Sequence, residues 1–272
     1  EKQKYWDIPQ VYGKAVKEKA PSYDEAKEEL KGLLKEAVRK RMIADVPLGA
    51  FLSGGYDSSL ITAIAQEISE TPVRTFSIGF HEKRYNEAEY AKQVSKHLKT
   101  EHTELYIDEK EMFDMVESIP KYYDEPFADS SQIPSMLVSK LASEKVSVVL
   151  TGDGGDEFFC GYNIYDYVAQ AQKIDLLGGV TFGVCNLPLV KKGGLPFKVQ
   201  VIALNRDKET KTQLGGDSYI RAIDRMLPES GVPFKFRQES RYEEKNWQER
   251  RMLLDEETYL PGDILCKVDR AS

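Results

Sequence analysis

Two short stretches hold the residues best suited to chemistry. Ser53-Gly54-Gly55-Tyr56-Asp57-Ser58-Ser59 sets a glycine pair and three serine hydroxyls ahead of an apolar helical pattern. Adjacent glycines let the backbone come close to an anion. Free N–H groups at a helix start favour negative charge, and hydroxyls add donors. That composition suits a phosphate cradle. It is not the lysine-bearing loop of the G-x-x-x-x-G-K-Ser/Thr kind, because no lysine stands in it. The second stretch, Thr151-Gly152-Asp153-Gly154-Gly155-Asp156-Glu157, places three glycines among carboxylates. Taken singly, each also suits an ordinary turn: a serine-capped helix start in one case, a solvated Asp/Gly loop in the other.

The elements that must position them are legible in the apolar spacing. Ser22 and Glu25 form a capping box ahead of Ala26, Leu30, Leu33, Leu34, Ala37, Val38 and Met42, which recur at helical spacing. Leu48 to Leu52 reads as a buried strand, and a helix is predicted from about Ser58, with Leu60, Ile61, Ile64, Ala65 and Ile68 apolar. A strand at 74–80, a helix at 87–98, a strand at 101–107 and a helix capped by Asp108 follow. An irregular segment, 122–132, leads to a helix at 134–144 and a strand at 146–150. Strands alternating with helices in this way predict a doubly wound α/β fold, a parallel sheet with helices on both faces. The α/β core spans about 22–165, and a mostly helical extension is expected over 166–272, with a Gly- and Pro-rich tract at 176–204.

In such sheets ligands bind outside the carboxyl ends of the strands. The residues following Leu52, Ile78 and Leu150 are therefore expected to share one crevice. Asp57, Asp153, Asp156 and Glu157 would then crowd a polyphosphate. Two unit charges ~4 Å apart repel by about 4 kcal/mol at an effective dielectric of ~20. A divalent cation removes the conflict, and Mg²⁺ takes one or two carboxylates together with phosphate oxygens. The residues thus point to ATP with Mg²⁺, and to Asp57 and Asp156 as the metal ligands.

The glycine-serine stretch resembles the pyrophosphate-binding loop of the N-type ATP pyrophosphatases, which have an adenine nucleotide alpha-hydrolase-like fold. A sharper resemblance is to the synthetase domain of glutamine-dependent asparagine synthetases. It is carried by four separated motifs: residues Arg41 to Leu52, Asp124-Glu125-Pro126-Phe127-Ala128-Asp129-Ser130-Ser131, the acidic turn at 151–157, and the closing Lys267-Val268-Asp269-Arg270-Ala271-Ser272. That resemblance implies a ligase that forms a carbon–nitrogen bond. It activates the side-chain carboxylate of aspartate as β-aspartyl-AMP, releases pyrophosphate, and lets ammonia displace AMP. It implies that Ser53, Gly54, Gly55, Asp57, Ser58 and Ser59 hold pyrophosphate and Mg²⁺, that Asp156 gives the second carboxylate, and that Asp153 serves adenylate formation. Phe51, Leu52, Ile78, Thr151 and Gly152, at strand ends, are expected to meet the nucleotide. Asp129, Ser130 and Ser131 are candidates for the aspartate site, with a surface loop as the alternative.

Related adenylating enzymes, of the β-lactam synthetase or natural-product amide-forming kind, share such a loop and would differ in the carboxylate they accept. A nucleotide-binding module without chemistry is a further alternative, disfavoured by the acidic crowding. Two features depart from the family pattern: Tyr56 where an aliphatic residue is usual, and Cys160 where glycine is usual. The glutaminase domain that opens with a catalytic cysteine, and a distal lysine, are expected outside these 272 residues. The chain by itself is then expected to bind ATP and to make asparagine poorly or not at all.

Bulk properties bound the rest. A hydrophobic share of 41%, a charged share of 31% and a net charge of -7 describe an ordinary folded chain without the basic surface that nucleic acid requires. Cys160, Cys185 and Cys266 are far apart and form no C-x-x-C pair, so reduced thiols and a cytoplasmic location are expected. No run reaches the ~20 apolar residues of a membrane span. His81, His97 and His102 are expected in surface or capping roles, and a homodimer is compatible with the resemblance.

Overall fold

Four apolar segments become strands, and their order decides where a ligand can sit. In a computed structural model that describes residues 5–15, 19–81, 87–127, 129–166, 168–169 and 246–272, β1 (Leu48–Phe51), β2 (Arg74–Phe80), β3 (Glu101–Ile107) and β4 (Val148–Leu150) form one sheet. The order is β3-β2-β1-β4 and every pairing is parallel. Ala50 lies opposite Thr75 on one side and Leu150 on the other, which fixes the register across the centre. The chain winds outward from β1 to β3 and then returns to the other side of β1. The topological switch point therefore falls between β1 and β4.

Helices cover both faces, as the doubly wound reading requires. α1 spans Ile8–Ala15 and α2 spans Tyr23–Arg41, the latter opened by the Ser22–Glu25 capping box. Leu34 and Val38 of α2 pack with Ile61, Ile64, Ala65 and Ile68 of α3 (Tyr56–Ile68) against Leu48, Ala50 and Leu150. On the opposite face Val138, Leu141 and Ala142 of α7 (Gln132–Ser143) pack on Phe51, Phe76 and Val149. Successive residues such as Ala50 and Phe51 thus serve opposite faces, the alternation a strand imposes. Each apolar side chain so buried contributes about 1.5–3 kcal/mol. Between these elements run α4 (Ala88–Leu98), α5 (Glu109–Val116), capped by Asp108 as predicted and in a box with Glu111, and α6 (Ile119–Tyr122).

Two compact units divide the chain: residues 16–154 with 262–272, and residues 1–15 with 155–261. The sheet belongs to the first. Its C-terminal piece carries α10 (Leu265–Ala271), whose Ala271 packs with Tyr123 and Met136. The second unit holds α1, α8 (Gly155–Phe159) and α9 (Trp247–Glu257), with Ile8 and Tyr12 against Leu253 and Leu254. A π-helical turn, Leu260–Ile264, joins α9 to α10. The described part of the C-terminal extension is helical as expected, while the Gly- and Pro-rich tract at 176–204 and Cys185 lie outside the described residues.

Candidate functional site

The glycine-serine stretch is held by its own hydroxyls. Leu52 extends β1, its N–H donating to Phe76 O at 2.9 Å, and the Ser77 hydroxyl donates to Leu52 O at 2.6 Å. Beyond it the Ser53 N–H donates to Ser58 Oγ at 3.2 Å, and the two serine hydroxyls lie 2.9 Å apart. The Gly55 N–H donates to Ser53 Oγ at 3.3 Å, and Ser58 Oγ donates to Gly55 O at 3.4 Å. These bonds close a tight turn. Gly54 sits at φ +89°, a left-handed conformation open to glycine, and a Cβ there would lie 2.6 Å from Ala91 N.

Gly55, not Ser58, is the N-cap of α3, and it supplies no side-chain cap. The helix starts two residues earlier than Ser58 because that serine spends its hydroxyl on the turn. Asp57 and Ser58 consequently stand in the first turn, where backbone N–H groups have no helical acceptor. This is the arrangement that favours an anion. Ser59 Oγ is buried without a hydrogen-bond partner. Tyr56 is 96% exposed, so its ring neither fills the turn nor packs under the helix.

The acidic turn meets this one. Thr151-Gly152-Asp153-Gly154 follows β4, the neighbour of β1, and Gly152 lies directly against the start of α3. A Cβ on Gly152 would be 2.6 Å from Ser58 N and 2.9 Å from the Asp57 carbonyl carbon. Gly154 turns the chain at φ +93°. Both loops therefore sit at the switch point, with Phe51 half-buried at the end of β1 and Ile78 half-buried on β2. Asp153 is exposed.

Asp156 and Glu157 open α8 in the other compact unit. There the Gly161 N–H donates to Asp156 O at 2.9 Å, and Tyr162 OH donates to Glu157 Oε1 at 2.9 Å. Cys160 adopts φ +62°, which accounts for the glycine usual at its position, and Gln248 Nε2 donates to its sulfur at 2.9 Å. Burial is the main cause that raises the Glu157 carboxyl above its ordinary range.

Burial also pushes the Asp57 carboxyl up, and among the described residues no side chain pairs with it. Such a group fits a hard cation. Among the described residues no three His, Cys, Asp or Glu side chains are grouped to hold a metal on their own. Mg²⁺ accepts one or two carboxylates and completes its shell with phosphate oxygens and water.

Asp129, Ser130 and Ser131 precede α7. Ser130 is exposed, whereas Asp129 and Ser131 form a cluster that includes a residue not anticipated from the spacing, Lys267 of α10. Lys267 Nζ donates to Asp129 Oδ2 at 3.0 Å and to Ser131 Oγ at 2.6 Å. Ser131 donates through both its N–H and its hydroxyl to Asp129 Oδ1, each at 2.7 Å. Arg270 adds an ion pair with Asp124 at 2.8 Å. Burial would raise the Asp129 carboxyl, but the bonds from Ser131 and Lys267 outweigh it and hold the group below its ordinary range. The signal in the sequence was the closing motif from Lys267 to Ser272, which marks the segment without indicating what Lys267 touches.

His102 departs from its expected surface or capping role. Its side chain is 10% exposed, with Nδ1 2.9 Å from Thr75 Oγ1 and Nε2 3.4 Å from Ser77 Oγ. No helix among the described residues is long and apolar enough to cross a membrane.

A parallel sheet whose switch point is flanked by a glycine-serine helix start and an acidic turn defines a doubly wound α/β protein with a candidate ligand site at that edge. The sequence model of the asparagine synthase family matches residues 29–272, and the chain belongs to that family. An asparagine synthetase homologue of Methanocaldococcus jannaschii is 39% identical over 214 residues, covering 73% of this chain and 39% of the homologue. Glutamine-hydrolysing asparagine synthetase 1 of Bacillus subtilis is 30% identical over 262 residues, covering 91% of this chain and 40% of that protein. The chain thus spans about two fifths of the length of these relatives. Among solved structures, an ammonia-dependent NAD synthetase from Campylobacter jejuni matches 77% of this chain and 99% of its own, at 17% identity and a TM-score of 0.37.

Proposed function

We propose that this chain activates the side-chain carboxylate of aspartate with ATP and passes the acyl group to ammonia, giving asparagine. A carboxylate oxygen attacks the α-phosphorus, and the bond to the bridging oxygen of pyrophosphate breaks, that oxygen keeping the electron pair. The products of this step are β-aspartyl-AMP and pyrophosphate. Ammonia then attacks the acyl carbon and loses a proton, and the carbon–oxygen bond to AMP breaks. Nothing here calls for a covalent nucleophile on the protein; positioning and cancellation of charge carry the reaction.

The residues divide the work as follows. N–H groups at the start of α3, with Ser53, Gly54, Gly55, Ser58 and Ser59, cradle the β- and γ-phosphates and so hold the leaving pyrophosphate. Phe51, Leu52, Ile78, Thr151 and Gly152 line the nucleotide from the strand ends. Asp57, with Asp156 as the second carboxylate, would hold Mg²⁺, which neutralises charge on the leaving group when bound. Asp153 serves adenylate formation, and the Asp129–Ser131 turn meets aspartate. The longer relatives are named as glutamine-hydrolysing, which supports glutamine as the source of ammonia through an amidotransferase domain.

One observation carries the reading: Gly152 of the acidic turn lies against Asp57 and Ser58, so the two chemistry-bearing loops adjoin at the switch point. The test is exchange of labelled pyrophosphate into ATP by the purified protein, with equilibrium nucleotide binding beside it. Exchange that needs both aspartate and Mg²⁺ is expected. Exchange driven equally by unrelated carboxylates would reassign the substrate, and nucleotide binding indifferent to loss of Asp57 would remove the basis for the site.

A further inference from the structure

Lys267 and Asp129 form an ion pair with side chains only 9% and 11% exposed. Such pairs lose hydration on both partners and recover little net stability, so stability alone is a weak reason for keeping one. Its place is informative. Val138, Leu141 and Ala142 of α7 pack on the middle of the sheet, and α7 leads back to the amino end of β4. At a rise of 1.5 Å per residue, the start of α7 lies about 10–15 Å further toward the carboxyl ends of the strands. The pair thus stands at the same sheet edge as the glycine-serine turn.

The hydrogen bonds leave a specific remainder. Lys267 has three N–H donors and uses two, on Asp129 Oδ2 and Ser131 Oγ. Asp129 Oδ1 accepts twice from Ser131, while Oδ2 accepts once, from Lys267. One cationic donor and one anionic acceptor are left side by side. The local deficit is therefore one acceptor for Lys267 and one donor for Asp129.

We infer that Lys267 and Asp129 recognise the head group of an α-amino acid, Lys267 taking its α-carboxylate and Asp129 its α-ammonium. A zwitterion supplies both missing partners at once, and the existing pair keeps either charge from being stranded when the site is vacated. The inference deepens the adenylation reading above by assigning the end of the substrate that does not react, and it depends on that reading.

The test is equilibrium binding to the protein in the presence of Mg²⁺ and a non-hydrolysable ATP analogue. Three ligands are compared: aspartate, succinate (which lacks the ammonium) and β-alanine (which lacks the α-carboxylate). The wild-type protein should bind aspartate at least tenfold more tightly than either analogue. Lys267→Met should reduce aspartate to the level of β-alanine without weakening β-alanine itself. Asp129→Asn should reduce aspartate to the level of succinate without weakening succinate. Lys267→Arg should keep most of the preference. The double variant Lys267→Met with Asp129→Asn removes both charges together and guards against loss of folding, read by thermal denaturation; it should bind all three ligands alike. A Lys267→Met protein that weakens β-alanine as much as aspartate, or a wild type that binds succinate as well as aspartate, overturns the inference and leaves adenylation standing. A wild type that takes the nucleotide but none of the three ligands overturns both.

Discussion

Substituting Gly152 by alanine probes the contact on which the site depends. The new methyl carbon would lie 2.6 Å from Ser58 N, 2.9 Å from the Asp57 carbonyl carbon and 3.0 Å from Asp57 Cβ. Two of those atoms are backbone, so no side chain can swing away. Ordinary contact begins at 3.4 Å, and one loop must therefore retreat by roughly 0.8 Å. Overpacking of this kind costs about 1–3 kcal/mol. At ~2–4 °C per kcal/mol for a domain of this size, the melting temperature should fall by about 2–12 °C. The functional loss should be larger in proportion, because the displaced atom is an N–H of the first turn of α3. Misplacing a positioned group by ~1 Å can cost on the order of 100-fold in rate. ATP binding by calorimetry should weaken at least tenfold. Gly32→Ala is the control: nothing lies within 4 Å of its added carbon, and alanine in the helix interior of α2 should stabilise by about 0.5–1 kcal/mol with nucleotide binding unchanged. A Gly152→Ala protein with wild-type melting and wild-type ATP affinity would mean that the acidic turn and the helix start do not touch.

Three further outcomes follow from the same groups. Asp57→Asn should abolish the strengthening of ATP binding by Mg²⁺ and should tighten metal-free binding, measured by titration with and without chelator. His102 is held below its ordinary range chiefly by burial, with Lys92 adding to the effect and Glu104 opposing it. The unfolded chain then takes the proton first, so stability should decline as pH falls from about 6.5 toward the folded value, and His102→Gln should flatten that decline in thermal melts. Glu256 is pushed from 4.5 up to about 7 by burial first, then by Glu157, Glu257 and Asp255. Its contribution is present below the unfolded value and is lost as pH rises through about 7, so Glu256→Gln should raise the melting temperature more at pH ~8 than at pH ~5.

The sheet was legible because four apolar runs are separated by helix-period segments, and a parallel sheet buried on both faces needs nothing else to announce it. Local hydrogen-bond competition was harder to read. Ser58 looked like a helix cap, yet its hydroxyl bonds back to Ser53 and Gly55, and the helix starts ahead of it. His102 gave no sign of burial because its partners Thr75 and Ser77 are polar residues inside a strand that reads as apolar. The Lys267–Asp129 pair joins residues 138 apart, and no periodicity reports a contact at that distance.

Asp57 and Asp129 stand at one sheet edge, and their surroundings divide them. Asp129 accepts three hydrogen bonds, one from an ammonium, and its charge is settled before any ligand arrives. Asp57 is half-buried, and no described side chain offers it a proton or a positive charge. A negatively charged nucleotide approaching the helix start would make Asp57 costlier still, unless a cation arrives with it. An anionic nucleotide without metal should therefore be resisted at this edge, whereas a metal-bound one removes the conflict it would otherwise create. On the proposed reading, the turn that attracts phosphate through backbone N–H groups would select the metal complex of that phosphate through one uncompensated carboxylate.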